Sequence, residues 1–229
     1  MVSVKKPVTA IIIGAGSRGM TYAQFSQVAP ERLQIVGVAE PLEWNRQHMA
    51  KTYHIPPENI AADWQELASR SRLADAAIIC TQDAMHAGPA IAFAQKGYAI
   101  LLEKPMAPSE ADCVRIIQAI KENKNLFAVC HVMRYTHYTQ TLKGILDAGT
   151  VGEVVSIQHM EPVGYWHQAH SFVRGNWRNE GLSSPMLLAK SCHDLDWIRY
   201  MIGKTCKSLS SFGANTLQAF GKTRGSRRS

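Results

Sequence analysis

Three glycines lie at spacings of two and three residues in the segment IIIGAGSRG, residues 11–19. This spacing suits a turn between a strand and a helix whose backbone approaches a pyrophosphate, with the phosphate at the start of the helix. Gly14 would allow the tight turn, Gly16 the approach of the backbone, and Gly19 the close packing of helix on strand. The same triplet also occurs in ordinary turns, so the surrounding elements decide its meaning.

An acidic residue, Glu40, ends the second apolar segment, LQIVGVAE. Its carboxylate suits ribose hydroxyls and repels a 2′-phosphate, which favours NAD over NADP. Arg46, a few residues on, weakens that preference because its charge could reach a phosphate. Together with the glycines, Glu40 predicts a dinucleotide site, to which we also assign Ser17 and Arg18.

A charged pair and a proline follow an apolar run in LLEKP, residues 101–105. Open α/β proteins bind ligands at the carboxyl edge of the sheet, where such a segment would lie. Lys104 could polarise or protonate a substrate oxygen there, or it could be a surface lysine paired with Glu103. Position alone does not decide between these two roles of Lys104. We assign Glu103 itself to the cofactor site.

The stretch 161–181 is rich in aromatic and basic side chains. Rings that stack on sugar faces and guanidinium groups that bind hydroxyls or carboxylates would make it a substrate wall, although its aromatics could equally fill a junction between domains. The candidate substrate residues in it are Tyr165, His167, Trp177 and Arg178. His167 and His170 have a spacing compatible with metal ligation on a helix, but no carboxylate or thiolate completes a set, so we predict no metal.

Strands alternate with helices through the first part of the chain. The predicted strands are 8–13, 33–40, 74–81, 98–103 and 126–132, and the predicted helices are 18–28, 42–53, 87–97 and 109–124. This alternation is typical of an α/β fold with a Rossmann-type doubly wound parallel sheet. After Arg134 the sequence predicts a helix at 136–149, a strand at 152–160, a long helix at 184–203 and a final strand at 206–213.

The change of pattern predicts three regions. They are a dinucleotide-binding domain at 1–133, a partial substrate and dimerisation domain at 134–212, and a basic, disordered tail at 213–229. We expect the second region to be α+β, with an open, mostly antiparallel sheet.

Composition narrows the class of protein. The chain has 229 residues, of which 46% are hydrophobic and 19% charged, and it has no apolar run long enough for a membrane span. Five cysteines without a C-x-x-C pair indicate a reducing cytoplasm rather than a disulfide framework. The net charge of +7 is matched by seven basic residues and no acid in 197–229, which indicates a solvated tail rather than specific nucleic-acid binding.

Several segments occur together in a known order and spacing. GAGSRG, TQDAMH (81–86), EKP (103–105) and GTVGEV (149–154), followed by KSCHDLDWIRYMIG (190–203), make residues 7–212 resemble the glucose-fructose oxidoreductase, inositol dehydrogenase and rhizopine catabolism (Gfo/Idh/MocA) oxidoreductase family. The resemblance implies that Lys104 and His193 face the substrate carbon that exchanges hydride with a nicotinamide.

The TQDAMH segment matches the family pattern in part. Thr81 and His86 agree with it, and the resemblance implies that both line the nicotinamide side of the cleft. Gln82 and Asp83 stand where the family usually has proline and asparagine.

A second departure lies beside His193. Ala189 occupies the position where the family more often has an aspartate. Lys190 is the nearest substitute, either in the relay of a proton or as the binder of a substrate carboxylate or hydroxyl. Without the resemblance, His193 would be read as a core histidine capped by Asp194 or Asp196.

The resemblance implies an NAD-dependent oxidoreductase that takes hydride from a secondary alcohol of a sugar, polyol or related small molecule. We expect a cytoplasmic protein, as the cysteines indicate. We also expect a homo-oligomer, because the family's second domain is built on a large open sheet of which this chain contains about two strands. The alternative is a non-catalytic dinucleotide-binding or sensing protein, or a truncated, inactive member of the family.

Overall fold

A six-stranded parallel sheet organises the computed structural model, which describes residues 6–213. The strands are β1 (Val8–Ile13), β2 (Leu33–Ala39), β3 (Ile60–Ala61), β4 (Ala76–Ile79), β5 (Ala99–Leu102) and β6 (Phe127–Val129). Their spatial order is β3-β2-β1-β4-β5-β6, and every neighbouring pair is parallel. The order reverses between β1 and β4, where such sheets bind ligands, and the predicted Rossmann-type sheet is confirmed.

Helices connect the strands and continue after them. They are α1 (Ser17–Ala23), α2 (Phe25–Val28), α3 (Glu43–Thr52), α4 (Trp64–Ser69), α5 (Ala87–Gln95), α6 (Glu110–Asn123), α7 (His137–Asp147), α8 (Tyr165–His167) and α9 (Met186–Ile202). The helix predicted at 18–28 is divided at Gln24, whose N–H closes the last turn of α1 on Met20. Within the described range, no helix is both long and apolar enough to cross a membrane.

The core lies on both faces of the sheet because side chains alternate along each strand. Ala10 and Ile12 of β1 belong to one apolar cluster, and Ile11 and Ile13 belong to the other. All four side chains are buried, and each isoleucine contributes about 2 kcal/mol through its burial. Both layers therefore fix the end of β1, from which the glycine segment emerges.

The antiparallel sheet expected after residue 134 is not confirmed. Between residues 134 and 213 the structure contains no strand, and Val155, in the segment predicted as one, is 96% exposed. A strand forms only where a neighbour completes its hydrogen bonds, and the described residues offer none to the segments 152–160 and 206–213. The predicted basic tail lies, from residue 214 onward, outside the described residues.

α9 is anchored to the turn that follows β6. Arg134 in this turn forms a bidentate ion pair with Asp196 of α9, and Trp197 Nε1 donates to the buried Thr139 Oγ1 of α7 at 2.9 Å. Gly203, with a φ of 68°, ends the helix in the left-handed conformation that glycine favours. These contacts hold His193 at the carboxyl edge of the sheet.

Candidate active site

The predicted site residues follow the carboxyl ends of neighbouring strands. Gly14 follows β1, Glu40 follows β2, and Glu103 follows β5, while Thr81 comes shortly after β4. Because the strands are parallel, these residues meet at one edge of the sheet, beside the point where the strand order reverses.

The glycine segment forms a tight turn with an open side. A Cβ at Gly14, whose φ is 90°, would lie 2.7 Å from the carbonyl oxygen of Cys80, and one at Gly19 would lie 2.1 Å from the carbonyl oxygen of Gly14. A Cβ at Gly16 would meet no described atom within 4 Å. The turn thus packs closely on the sheet and leaves its backbone at Gly16 accessible, which fits a dinucleotide pyrophosphate.

Glu40 holds this turn in place. Its Oε2 accepts from the N–H of Ala15 at 2.7 Å and its Oε1 from the N–H of Leu42 at 2.9 Å. Each oxygen keeps a second lone pair for a ribose hydroxyl, so the predicted ribose contact stays a prediction that the geometry permits. Arg46 donates instead to the carbonyl oxygens of Glu40 and Pro41, at 2.6 and 3.0 Å.

Glu103 joins the glycine segment to EKP. Its Oε1 accepts from the hydroxyl of Tyr22 at 2.6 Å and lies 3.9 Å from Arg18 Nε, while its Oε2 accepts from the N–H of Lys104 at 2.9 Å. The ammonium of Lys104 is directed elsewhere and donates to the carbonyl oxygen of Ala189 at 3.0 Å. The alternative of a surface ion pair between Lys104 and Glu103 is therefore not what the structure contains.

Lys104 and His193 come together across the cleft through α9. The carbonyl that accepts from Lys104 lies one helical turn before His193, which is half-buried. Burial lowers the pKa of His193 to about 4, and the charges of Lys104 and His131 act in the same direction. The imidazole is consequently neutral near pH 7, and its Nδ1 has no hydrogen-bond partner among residues 6–213.

His131 is a site residue that sequence reasoning missed. Its ring lies edge-on to that of His193, with centroids 6.0 Å apart, and its Nε2 is 3.9 Å from Asp196 Oδ1. Burial lowers its pKa as well. The signal was available, because His131 is one of the last two residues of the strand predicted at 126–132, at the same sheet edge that drew attention to Lys104.

Lys190 and His167 are also brought together. Lys190 Nζ donates to His167 Nε2 at 2.8 Å and lies 5.8 Å from the centre of the Phe172 ring. Burial, and then the charge of Lys104, lower the pKa of Lys190. Two of the predicted substrate residues, Lys190 and His167, are thus in direct contact beside Lys104 and His193.

Asp83, which stands where the family pattern usually has asparagine, joins three parts of the chain through hydrogen bonds. This buried carboxylate accepts from Trp177 Nε1 at 3.0 Å and from the hydroxyl of Ser184, so it ties the aromatic stretch and the start of α9 to the sheet. Trp177, predicted as a substrate residue, has its indole N–H engaged in this junction. Bonds spanning such sequence distances carry no local sequence signal.

Removal of the Asp83 carboxylate tests this junction. Asp83→Ala leaves the Trp177 and Ser184 donors without their acceptor and should lower the free energy of unfolding by about 2 kcal/mol. Asp83→Asn keeps an acceptor oxygen, so its loss in the free energy of unfolding should be less than half of that of Asp83→Ala. Urea unfolding of both variants checks this, and equal losses in the two would contradict the role of the carboxylate.

His86 does not lie where the family resemblance placed it. The ring is fully buried, with Nδ1 2.8 Å from the carbonyl oxygen of Pro105 and Nε2 3.1 Å from that of Thr81. It therefore links the EKP loop to the loop after β4 instead of lining the cleft. Thr81 Oγ1, buried and unpartnered in the described part of the chain, remains available to a nicotinamide amide.

The remaining predicted substrate residues form no hydrogen bond with Lys104, Lys190 or His193 in the described part of the chain. Tyr165 is 86% exposed, and Arg178 Nη1 donates to the carbonyl oxygens of Arg174 and Gly175, both at 3.4 Å. Their substrate roles stay predictions.

A cluster of possible metal ligands lies next to the site. His159, Glu161 and Asp194 each place one ligand atom within 4.8 Å of the others. His159 Nε2 and Asp194 Oδ1 are 2.8 Å apart, and the ring stacks on Trp197, so a hydrogen bond and ring packing account for this arrangement without an ion. The absence of a metal stays a prediction.

Comparisons with known proteins agree with this geometry. A family model described as "Oxidoreductase family, NAD-binding Rossmann fold" matches residues 8–131, and one for the GFO/IDH/MocA C-terminal domain matches residues 139–224.

Two curated relatives and one solved structure illustrate the similarity. A 2,7-anhydro-N-acetylneuraminate hydratase of Mediterraneibacter gnavus is 27% identical over 221 residues, which cover 94% of this chain and 56% of that protein. The scyllo-inositol 2-dehydrogenase (NAD(+)) of Bacillus subtilis is 25% identical over 214 residues, which cover 90% of this chain and 57% of that protein. The myo-inositol 2-dehydrogenase structure from Lactobacillus plantarum superposes with a TM-score of 0.75 at 20% sequence identity. The match covers 86% of this chain and 57% of that one, and it shows a likeness of fold alone.

The chain spans about half the length of the curated relatives it matches. The match of the first family model alone covers more than half of the chain, and it coincides with the parallel sheet and the glycine turn. The chain therefore belongs to the GFO/IDH/MocA oxidoreductase family and has the NAD-binding Rossmann fold of that family.

Proposed function

We propose that this protein is an NAD-dependent dehydrogenase that oxidises a secondary alcohol of a sugar, a polyol or a related small molecule. The observation that carries the proposal is the convergence of Lys104 and a desolvated, neutral His193 beside the glycine turn. Bound NAD would supply the acceptor for the hydride of the alcohol carbon.

The residues that would hold the cofactor follow the strand ends. The glycine turn would bind the pyrophosphate, Glu40 the ribose and Thr81 the nicotinamide amide, with Glu103 keeping Arg18 and the EKP loop in place. The full set is Gly14, Gly16, Ser17, Arg18, Gly19, Glu40, Thr81 and Glu103.

Lys104 would orient the substrate oxygen. One N–H of its ammonium donates to Ala189, which leaves two for a substrate hydroxyl and for the negative charge that develops on its oxygen. The tether to α9 holds the ammonium in position before substrate arrives.

His193 would accept the hydroxyl proton. Burial keeps the ring neutral, so a nitrogen lone pair is available over the whole range above its pKa of about 4. Because Ala189 replaces the usual aspartate, the carboxylates that act on this imidazole are Asp194 and Asp196, which raise its pKa against the larger effect of burial.

The assembly is a further part of the proposal. A homo-oligomer would supply neighbours for the segments after residue 150, and a boundary near residue 133 would separate the sheet domain from them.

Calorimetry followed by a turnover assay tests the proposal. We expect NAD to bind about tenfold more tightly than NADP, and NADH absorbance to rise with at least one inositol, sugar or sugar acid. Glu40→Gln should narrow the preference for NAD, whereas Glu43→Gln, at an exposed position in α3, should leave it unchanged. Binding of NAD without any turnover would favour a sensing protein, and the absence of NAD binding would contradict the proposal.

A further inference from the structure

Two lysines enter the cleft without an acidic partner. Lys104 Nζ donates to a backbone carbonyl and Lys190 Nζ to an imidazole, and within residues 6–213 neither forms an ion pair with a carboxylate. The cleft therefore contains two ammonium groups that no described carboxylate holds in an ion pair.

Four of the nearby carboxylates are engaged elsewhere. Each is bonded to other groups, as follows: Glu103 to Tyr22, Asp83 to Trp177 and Ser184, Asp194 to His159, and Asp196 to Arg134. Glu161 is the carboxylate whose charge acts on Lys190 and raises its pKa against the effect of burial, but within residues 6–213 the two groups form no ion pair.

The effect of this charge extends to the surrounding groups. The ammonium of Lys104 contributes to the lowered pKa of His167, Lys190 and His193, in each case after burial, which is the larger cause. Several groups in one cleft are thus disfavoured in their cationic forms, and a bound anion would relieve all of them.

We propose that Lys190 and His167 form a subsite for a carboxylate of the substrate, so that the protein acts on a sugar acid rather than on a neutral sugar or polyol. This inference rests on the proposed dehydrogenase function and specifies its substrate class. Lys190 lies three residues before His193 on α9, so an anion bound there is held beside the group that accepts the proton.

The chemistry of the subsite favours a carboxylate over a phosphate. One ammonium and one imidazole match a single negative charge, and the Phe172 ring lies close to the ammonium. Phosphate groups are more often bound by guanidinium forks or by several backbone N–H groups, and the described contacts of Lys190 include neither.

Matched substrates and variants test the subsite. The protein saturated with NAD is given uronates and aldonates, their neutral parent sugars, and the corresponding sugar phosphates, and both kcat/KM and calorimetric affinity are measured. Because a charge-assisted hydrogen bond is expected to change binding by about ten- to a hundredfold, the acids should be preferred by at least about tenfold. Lys190→Met should abolish this preference by lowering the kcat/KM and the affinity for the acids by at least about tenfold. Lys121→Met, at an exposed position near the end of α6, is the matched control and should change neither.

The outcomes separate the subsite from the dehydrogenase function. Turnover that is equal for acids and neutral sugars, or higher for phosphates, would overturn the subsite and leave the dehydrogenase intact. Sugar-acid binding that is lost in Lys190→Met, without turnover of any compound, would support the subsite and contradict the dehydrogenase. Failure of every sugar acid to bind the NAD complex would overturn the subsite.

Discussion

Replacement of His193 by glutamine is expected to lower kcat/KM by about a thousandfold, the usual size of a general-base contribution. Glutamine has a similar size and can hydrogen-bond, but it cannot take the proton of the hydroxyl. NAD affinity should change by less than about twofold, because His193 lies on α9 and the proposed cofactor residues come from the segments after β1, β2, β4 and β5. Steady-state kinetics and calorimetry on the same preparation measure both quantities. His48→Gln, at an exposed position in α3, is the matched control and should leave both unchanged.

The pH profile of the wild type distinguishes a proton acceptor from a merely structural histidine. Since the pKa of His193 is lowered to about 4, kcat/KM should stay level as the pH falls through about 6.5, the ordinary histidine value, and decline only near pH 4. A decline centred near pH 6.5 would mean that His193 is not desolvated as described. Loss of NAD binding in His193→Gln together with loss of activity would assign the residue a structural role.

The sheet and its ligand-binding edge were predictable because their signals are local. Short apolar runs that stop at glycine or at a charged residue indicate both a buried parallel strand and its end, and Gly14 and Glu103 lie at such ends. β3 has only two residues and gives no periodicity to read. α4, by contrast, begins with a capping box formed by Asp63 and Glu66, a sequence signal that the prediction did not use.

The contacts that complete the site were not predictable, because they join residues far apart in the sequence. The bond between Trp177 and Asp83 spans 94 positions, and the one between Lys104 and Ala189 spans 85. A sequence can nominate a residue such as His86 but does not indicate which way its ring faces, and here both ring nitrogens face backbone carbonyls. Residue type and spacing thus located the edge of the site, and tertiary packing decided which side chains reach it.

Gly19→Ala is the stability change for which we expect the largest effect, a loss of about 3 kcal/mol in the free energy of unfolding. The new methyl group would lie 2.1 Å from the carbonyl oxygen of Gly14 and 3.0 Å from the side chain of Ile12, so α1 must move away from β1. Gly16→Ala is the matched control, because its methyl group enters open space and stability should stay within about 0.5 kcal/mol.

That methyl group would nevertheless occupy the side of the turn proposed for the pyrophosphate, and NAD affinity should fall about tenfold. Urea unfolding and NAD calorimetry on both variants separate the two effects. Equal stability of the two variants would contradict the close packing of α1 on β1, and full NAD affinity in Gly16→Ala would place the pyrophosphate elsewhere.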